Sequence, residues 1–192
     1  MGKPLNKEQG NALLDLARKT IHEKLGITCS LSPSCEDMLK DEALKEKCGT
    51  FVTITINGQL RGCIGCLDSR DPLVEGIRNN AVNAAFRDPR FRPLSRKELE
   101  DIHIEVSVLT EPQACEYSCT EELLDKLRPG VDGVIIRCGY ASATFLPQVW
   151  DQLPDKEEFL SHLCMKAGLP ADAWQRNKLE VQLYQVQCFE EE

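Results

Sequence analysis

The chain lacks any apolar run near the roughly 20 residues that a membrane span requires. Its first residues, Met-Gly-Lys-Pro-Leu-Asn-Lys, have no apolar stretch of the kind that forms a signal peptide. Gly2 raises the question of myristoylation, but that signal wants Ser or Thr at the sixth position, where Asn6 stands. These absences predict a cytoplasmic protein with no membrane partner. No basic cluster exceeds two residues and the net charge is −8, so the phosphate neutralisation that nucleic-acid binding draws on is missing. Histidine is scarce, at positions 22, 103 and 162. There is no low-complexity linker and no clear short-period repeat.

What the chain has in quantity is cysteine: ten, at 29, 35, 48, 63, 66, 115, 119, 138, 164 and 188. Without an export signal these read as reduced thiols rather than disulfides. Several, such as Cys138 and Cys164, occupy apolar-looking strand or helix positions, where a free thiol packs as a small hydrophobe. The acidic end, Glu190-Glu191-Glu192, reads as a solvated tail.

The first helix is signalled by a capping-box start at Asn6 and Gln9, by Leu13, Leu16, Ala17, Thr20, Ile21 and Leu25 at helical spacing, and by Gly26 as its stop. Residues 27–47 are mixed, with a short helix expected near Glu36 to Leu39. Phe51 to Ile56 alternates and is β-branched, a strand that runs into Asn57-Gly58, a strong type I′ hairpin signal. A two-residue loop would set Ile56 opposite Gln59, Ile54 opposite Arg61 and Val52 opposite Cys63. Arg61 and Cys63 would then share a face with three aliphatic residues.

Asp71 as N-cap and Pro72 at the first helical position open the next helix, with Leu73, Ile77, Ala81, Ala84 and Ala85 as its buried stripe. Pro89 forces its end. A charged loop, Arg87-Asp88-Pro89-Arg90-Phe91-Arg92-Pro93, follows, and then a capping box at Ser95 and Glu98. Ile102 to Leu109 alternates as a strand. Glu121 to Leu127 reads as a helix, Val134 to Arg137 and Ala141 to Phe145 as a hairpin about Gly139, Asp155 to Ala167 as a helix stopped by Gly168, and Val181 to Phe189 as one closing strand. This order predicts an α+β fold, a mainly antiparallel sheet with flanking helices.

Leu60-Arg61-Gly62-Cys63-Ile64-Gly65 resembles the hexapeptide of the AMMECR family, named for a chromosomal region linked to Alport syndrome, midface hypoplasia, intellectual disability and elliptocytosis. The likeness continues in order through Ala84-Ala85-Phe86-Arg87-Asp88-Pro89-Arg90-Phe91, Ile104 to Thr110, Gly130-Val131-Asp132-Gly133-Val134, Thr144 to Val149, and Phe159-Leu160 with Leu163 to Leu169. It implies a prokaryotic or archaeal member. It also implies a single domain over 5–190 with two unequal lobes, the larger built from both chain ends and the smaller inserted. Memo-like or radical-SAM pathway partners are implied, but no settled reaction and no cofactor. Cys66 departs from relatives, which commonly carry Ser, Thr or Gly there.

Cys63 is the candidate nucleophile: a thiolate flanked by glycines that admit a substrate, lowered in pKa by Arg61. It also reads as a ligand-site residue or as a small residue packed in a tight hairpin. Glu105, mid-strand, is a candidate base, a partner for Arg61, or a polar residue on the solvent side. Arg61, Gly62, Gly65, Arg87, Asp88 and Arg90 are the candidate substrate-binding set, because rigid arginines suit a carboxylate or phosphate; an internal Arg-Asp network that fixes the loop is the alternative. Cys63 and Cys66 with Cys115 and Cys119 are weighed as a four-thiolate zinc site and Cys63-Cys66 as a dithiol couple, and no metal is assigned. Lys166 complements a helix C-terminus, and Asp132 sits in a turn. The sequence thus points to a small anionic substrate in a groove between the hexapeptide hairpin and the Arg-Asp-Pro-Arg loop. The alternative is an adaptor module that uses the same groove for a protein partner.

Overall fold

The structure, a computed structural model, describes residues 4–67, 71–176 and 179–192; Gly2 lies outside them. In chain order the elements are α1 (Lys7–Lys24), α2 (Pro33–Met38), β1 (Thr50–Ile56), β2 (Gln59–Cys66), α3 (Leu73–Phe86), β3 (Ile102–Leu109), β4 (Gln113–Ala114), α4 (Thr120–Lys126), β5 (Gly133–Cys138), β6 (Ala141–Phe145), α5 (Lys156–Lys166), α6 (Ala173–Arg176), β7 (Glu180–Tyr184) and β8 (Val186–Glu190). The fold is α+β: two four-stranded antiparallel sheets, ordered β2-β1-β3-β8 and β4-β7-β5-β6. The chain divides into two compact units, one of residues 1–110 with 187–192 and one of residues 111–186. No helix among the described residues is long and apolar enough to cross a membrane.

In the larger unit, local chemistry starts α1 as its sequence predicts. Asn6 Oδ1 accepts from the Gln9 amide at 2.8 Å, and Gln9 Oε1 accepts from the Asn6 amide at 2.9 Å. Gly26, at φ +71°, ends the helix in a conformation that a Cβ disfavours. Leu13, Leu16, Ala17 and Ile21 of α1 and Leu73, Ile77, Ala81, Ala84 and Ala85 of α3 are buried against Val52, Ile54, Ile104 and Val106 of the sheet. Asn80 ties α3 to β1, its amide donating to Thr50 O at 3.0 Å and Thr50 Oγ1 at 2.8 Å. The short helix expected near Glu36 forms slightly earlier, with Pro33 in its first turn and Ser32 capping it.

Three local expectations need correction. The N-cap of α3 is Pro72, not Asp71. Pro72 is held in an isolated β-bridge to Lys47, and the Leu73 amide donates to Glu46 O at 2.9 Å, which keeps the proline outside the helix. The single closing strand is two, β7 and β8, in different sheets. The chain passes from the inserted unit back to the larger one there, and the apolar alternation of Val181, Leu183, Val186 and Cys188 runs through the crossing without marking it.

The third correction concerns the acidic end. Glu191 accepts from the Arg18 guanidinium at 2.5 and 2.6 Å and from the Ile104 amide at 2.8 Å, and its carbonyl bonds His103 Nε2. It is a structural tie, because the Ile104 amide and the half-buried Arg18 guanidinium both take Glu191 as their acceptor.

The inserted unit has its own core. Trp150 stacks on Phe159 with centroids 3.6 Å apart, and Leu123, Val134, Ile136, Leu160, Leu163 and Val181 close around them. Asp132, expected in a turn, is fully buried and accepts from the Arg128 amide and guanidinium at 3.0 Å and 2.5 Å. Lys166 does more than complement its helix: Nζ donates to Thr144 O at 2.9 Å and lies 4.9 Å from the Phe145 ring centroid. None of the ten cysteines is in a disulfide; Cys35 and Cys164 are buried, and Cys48, Cys115 and Cys138 are partly buried and pack against the cores of their units.

Candidate functional site

The hexapeptide hairpin does not keep simple two-residue register. Ile56 faces Gln59 and Thr55 faces Leu60, but a bulge follows, and Ile54 then faces Gly62, Thr53 faces Cys63 and Val52 faces Ile64. One extra residue on β2 moves every later side chain to the opposite face. Cys63 therefore shares a face with Thr53, away from the helices, and not with the aliphatic residues of β1. The sequence could not show this, because hairpin register was inferred from the turn alone.

The two glycines flanking Cys63 are already in contact with the protein. A Cβ at Gly62 would lie 2.2 Å from the Ala84 carbonyl oxygen, and one at Gly65 would lie 2.2 Å from the Phe51 ring. Gly62 lets α3 approach the strand, and Gly65 makes room for an aromatic ring.

The Arg-Asp-Pro-Arg loop is bonded to β2, an edge strand, directly at Cys63. Asp88 Oδ2 accepts from the Cys63 amide at 2.9 Å, and Arg90 Nη2 donates to the Cys63 carbonyl at 3.2 Å. Together the two side chains do what a neighbouring strand would do at that one residue, satisfying edge groups that are otherwise left open. Asp88 also takes the Arg90 guanidinium at 2.7 and 2.9 Å and the Arg90 amide at 3.1 Å. Its side chain is 1% exposed. Bonding from Arg90, with help from the Cys63 amide, holds the Asp88 carboxyl far below the usual carboxylate range against the opposing effect of burial. Asp88 and Arg90 thus immobilise the Cys63 peptide. Arg87 is exposed, with a long contact of 3.4 Å to Asn83 Oδ1.

Arg61 finds its acid in Glu98, not Glu105: Nε donates to Glu98 Oε1 at 2.7 Å. Glu98 uses its other oxygen for the capping box, accepting the Ser95 amide at 2.8 Å. The Arg61 bond, more than the Ser95 bonds, lowers the Glu98 carboxyl to about 2. Arg61 Nη1 is buried and has no acceptor among the described residues. The Arg61 and Arg90 guanidinium carbons lie 5.9 and 5.5 Å from the Phe91 ring centroid, within cation–π range.

On the face away from the helices, three strands set Cys63, Thr53 and Glu105 in one cross-strand row, since Thr53 faces Cys63 on one side and Glu105 on the other. Thr53 Oγ1 donates to Cys63 Sγ at 3.2 Å. Glu105 Oε1 accepts from Ser107 Oγ at 3.1 Å, and Ser107 Oγ lies 3.6 Å from Cys188 Sγ. Two strand spacings separate the Cys63 and Glu105 backbones by about 10 Å, with Thr53 between them. Thr53 is the member that sequence reasoning missed. Its only sequence signal is the alternation of β1, which becomes informative once the register against β3 is known.

Cys63 and Cys66 both lie within β2, three residues apart, so their side chains leave opposite faces. That rules out a direct disulfide or shared metal between these two while the strand is intact. Among the described residues no group of three metal-ligating side chains lies together. A shallow hollow of about 290 Å³ at the hairpin tip is lined by Ile56, Asn57, Gln59, Leu60 and Arg61. A larger cleft of about 500 Å³, lined in part by Cys115, Tyr117, Arg137 and Glu180, lies within the inserted unit; Cys115, weighed above as a zinc ligand, is the one sequence-derived candidate in its lining.

Comparison with known proteins agrees with this architecture. The chain is 41% identical to a protein of Thermofilum pendens, covering all of this chain and 93% of that one. It is 42% identical to a protein of Methanopyrus kandleri, again covering all of this chain and 93% of the relative. The crystal structure of an uncharacterised protein from Pyrococcus horikoshii superposes with a TM-score of 0.81 at 38% identity, covering 98% of this chain and 94% of that one. The sequence pattern of AMMECR1 matches residues 14–189, and the chain belongs to the AMMECR1 family.

Proposed function

We propose that the chain binds and transforms a small anionic substrate on the face of the β2-β1-β3-β8 sheet opposite α1 and α3, with Cys63 as the reacting thiol and Glu105 as the acid–base group. The observation that carries this reading is the Cys63–Thr53–Glu105 row, which sets a thiol, a hydroxyl and a carboxylate side by side on rigid strands. Fixed strands hold reacting groups more accurately than loops do, and the Asp88–Arg90 clamp fixes the Cys63 peptide further. A thiol reacts as its thiolate, and Thr53 Oγ1 donates to the sulfur from the facing strand. The anionic character of the substrate is supported by Arg61, Arg87 and Arg90 on the same hairpin and loop, in a chain whose overall charge is −8.

The test is alkylation of the folded, reduced protein across pH, with each modified cysteine located by mass spectrometry. Burial pushes Cys48 up to about 11 and raises Cys35, Cys115 and Cys164, so those thiols react slowly near neutrality and leave Cys63 readable. Cys63 is expected to react ahead of those four, and iodoacetate is expected to gain on iodoacetamide relative to a free thiol. Should Cys63 resist modification until the protein unfolds, the catalytic reading fails and the face is better taken as a surface for a protein partner.

A further inference from the structure

The cleft of about 500 Å³ in the inserted unit has a definite structural origin. β4 pairs with β7 through Gln113 with Leu183 and Ala114 with Gln182, and the Cys115 amide still donates to the Val181 carbonyl at 2.8 Å. Beyond that bond the two segments part. It is the Tyr117 hydroxyl, not its main chain, that meets β7, accepting from the Leu179 amide at 2.9 Å and donating to the Leu179 carbonyl at 2.8 Å. A tyrosine side chain thus spans the gap, satisfies the backbone groups of Leu179 and holds the segments apart.

The rim of this gap carries charge of both signs. Arg137 of β5 and Glu180 of β7 stand directly opposite in register, and therefore on one face of the sheet. A cross-strand pair of opposite charge ordinarily joins. Here both residues are exposed and, among the described residues, neither side chain has a hydrogen bond or ion pair. The exposed Glu116 carboxylate, on the segment that leaves β4, is open in the same sense. Lys126 of α4 does not neutralise it, because its ammonium is engaged by Glu122 Oε1 at 2.7 Å and by the Glu116 main-chain carbonyl at 2.5 Å. Tyr117, Leu179 and Val181 line the same cleft with apolar surface.

We infer that this cleft binds a small zwitterion, an α-amino acid with an apolar side chain. Arg137 takes the carboxylate, which suits the planar fork of a guanidinium. Glu180 and Glu116 take the ammonium, and Tyr117, Leu179 and Val181 receive the side chain. Arg137 and Glu180 rise from neighbouring strands about 4.8 Å apart, a separation that fits a ligand whose two charges share one carbon. A ligand of one charge leaves either the guanidinium or the carboxylates without a partner. The volume falls within the range of small-molecule sites. The cleft shares no residue with the Cys63 row, so its test is independent of the reactivity of Cys63.

The experiment titrates the isotope-labelled full chain with L-leucine and with two analogues that each lack one charge, L-leucinamide and isocaproate, and follows the backbone amide resonances. L-leucine is expected to shift the Cys115, Tyr117 and Gln182 amides saturably, and each analogue to bind about tenfold more weakly or worse, as the loss of one charge-assisted contact implies. Arg137→Gln is expected to bring L-leucine down to the level of L-leucinamide, and Glu180→Gln to weaken L-leucine while leaving isocaproate unchanged. Both side chains lie at the surface, and the thermal midpoint of each variant checks its fold. No saturable shift at these amides with L-leucine would overturn the inference. So would equal affinity of the wild type for all three probes, a comparison that needs no variant, or wild-type binding of L-leucine by folded Arg137→Gln.

Discussion

At the scale of single residues, Asp88 decides most. It is a buried carboxylate that serves two partners, the Cys63 amide and the Arg90 guanidinium. Asp88→Asn is expected to lower stability at neutral pH by about 2–4 kcal/mol, since it weakens a buried charged bond and leaves Arg90 without its counter-charge. The pH dependence follows from the direction of the shift. The folded carboxyl lies below its unfolded value of about 4, so its contribution is complete above that value and is lost as pH falls through the acid range toward the folded one. Glu98, held at about 2, behaves the same way. Urea unfolding should show a wide gap between wild type and Asp88→Asn at pH 7 that is smaller, but still present, near pH 3. An equal gap at both would mean that the charge of Asp88 contributes nothing.

At the scale of elements, the hairpin and the last strand carry the consequences. The bulge in β2 turns Cys63 toward Thr53, and Gly62 allows β2 to lie against the Ala84 carbonyl of α3. At the other end of the same sheet, β8 is followed by Glu191, which bonds Arg18, His103 and Ile104. A chain ending at Phe189 leaves the Arg18 guanidinium without its carboxylate and the Ile104 amide without its acceptor. Such a truncation is expected to lower the thermal midpoint by several degrees and to speed amide exchange in β3. Unchanged exchange at Ile104 would show that the tail is dispensable. The local signals that were legible in the sequence are those made within a few residues: the Asn6–Gln9 capping box, Gly26, the Asn57-Gly58 turn, the Ser95–Glu98 box and the alternation of β3.

At the scale of the molecule, the chain makes one continuous unit inside a discontinuous one. The inserted residues 111–186 contain a complete four-stranded sheet and a core around Trp150 and Phe159 with no element borrowed from elsewhere in the chain. A fragment of those residues is expected to fold alone, with cooperative thermal unfolding and a near-ultraviolet signal from its buried tryptophans. The larger unit needs both chain ends, because β8 and Glu191 come from the last residues. A fragment 111–186 that stays unfolded in isolation would contradict the independence of its core.

The α+β class and the order of the main elements were determined by the sequence itself, because caps, turns and two-residue alternation are consequences of local sterics and hydrogen bonding. The hexapeptide and the Arg-Asp-Pro-Arg loop were also visible there as the places to look. Only the tertiary structure decided which face Cys63 occupies, that Thr53 stands beside it, that Glu98 and not Glu105 pairs with Arg61, and that Glu191 is a tie. Each of these depends on which strand lies next to which and in what register. Register is set by packing over the whole sheet, and a single bulged residue reverses it without leaving a mark in the local pattern.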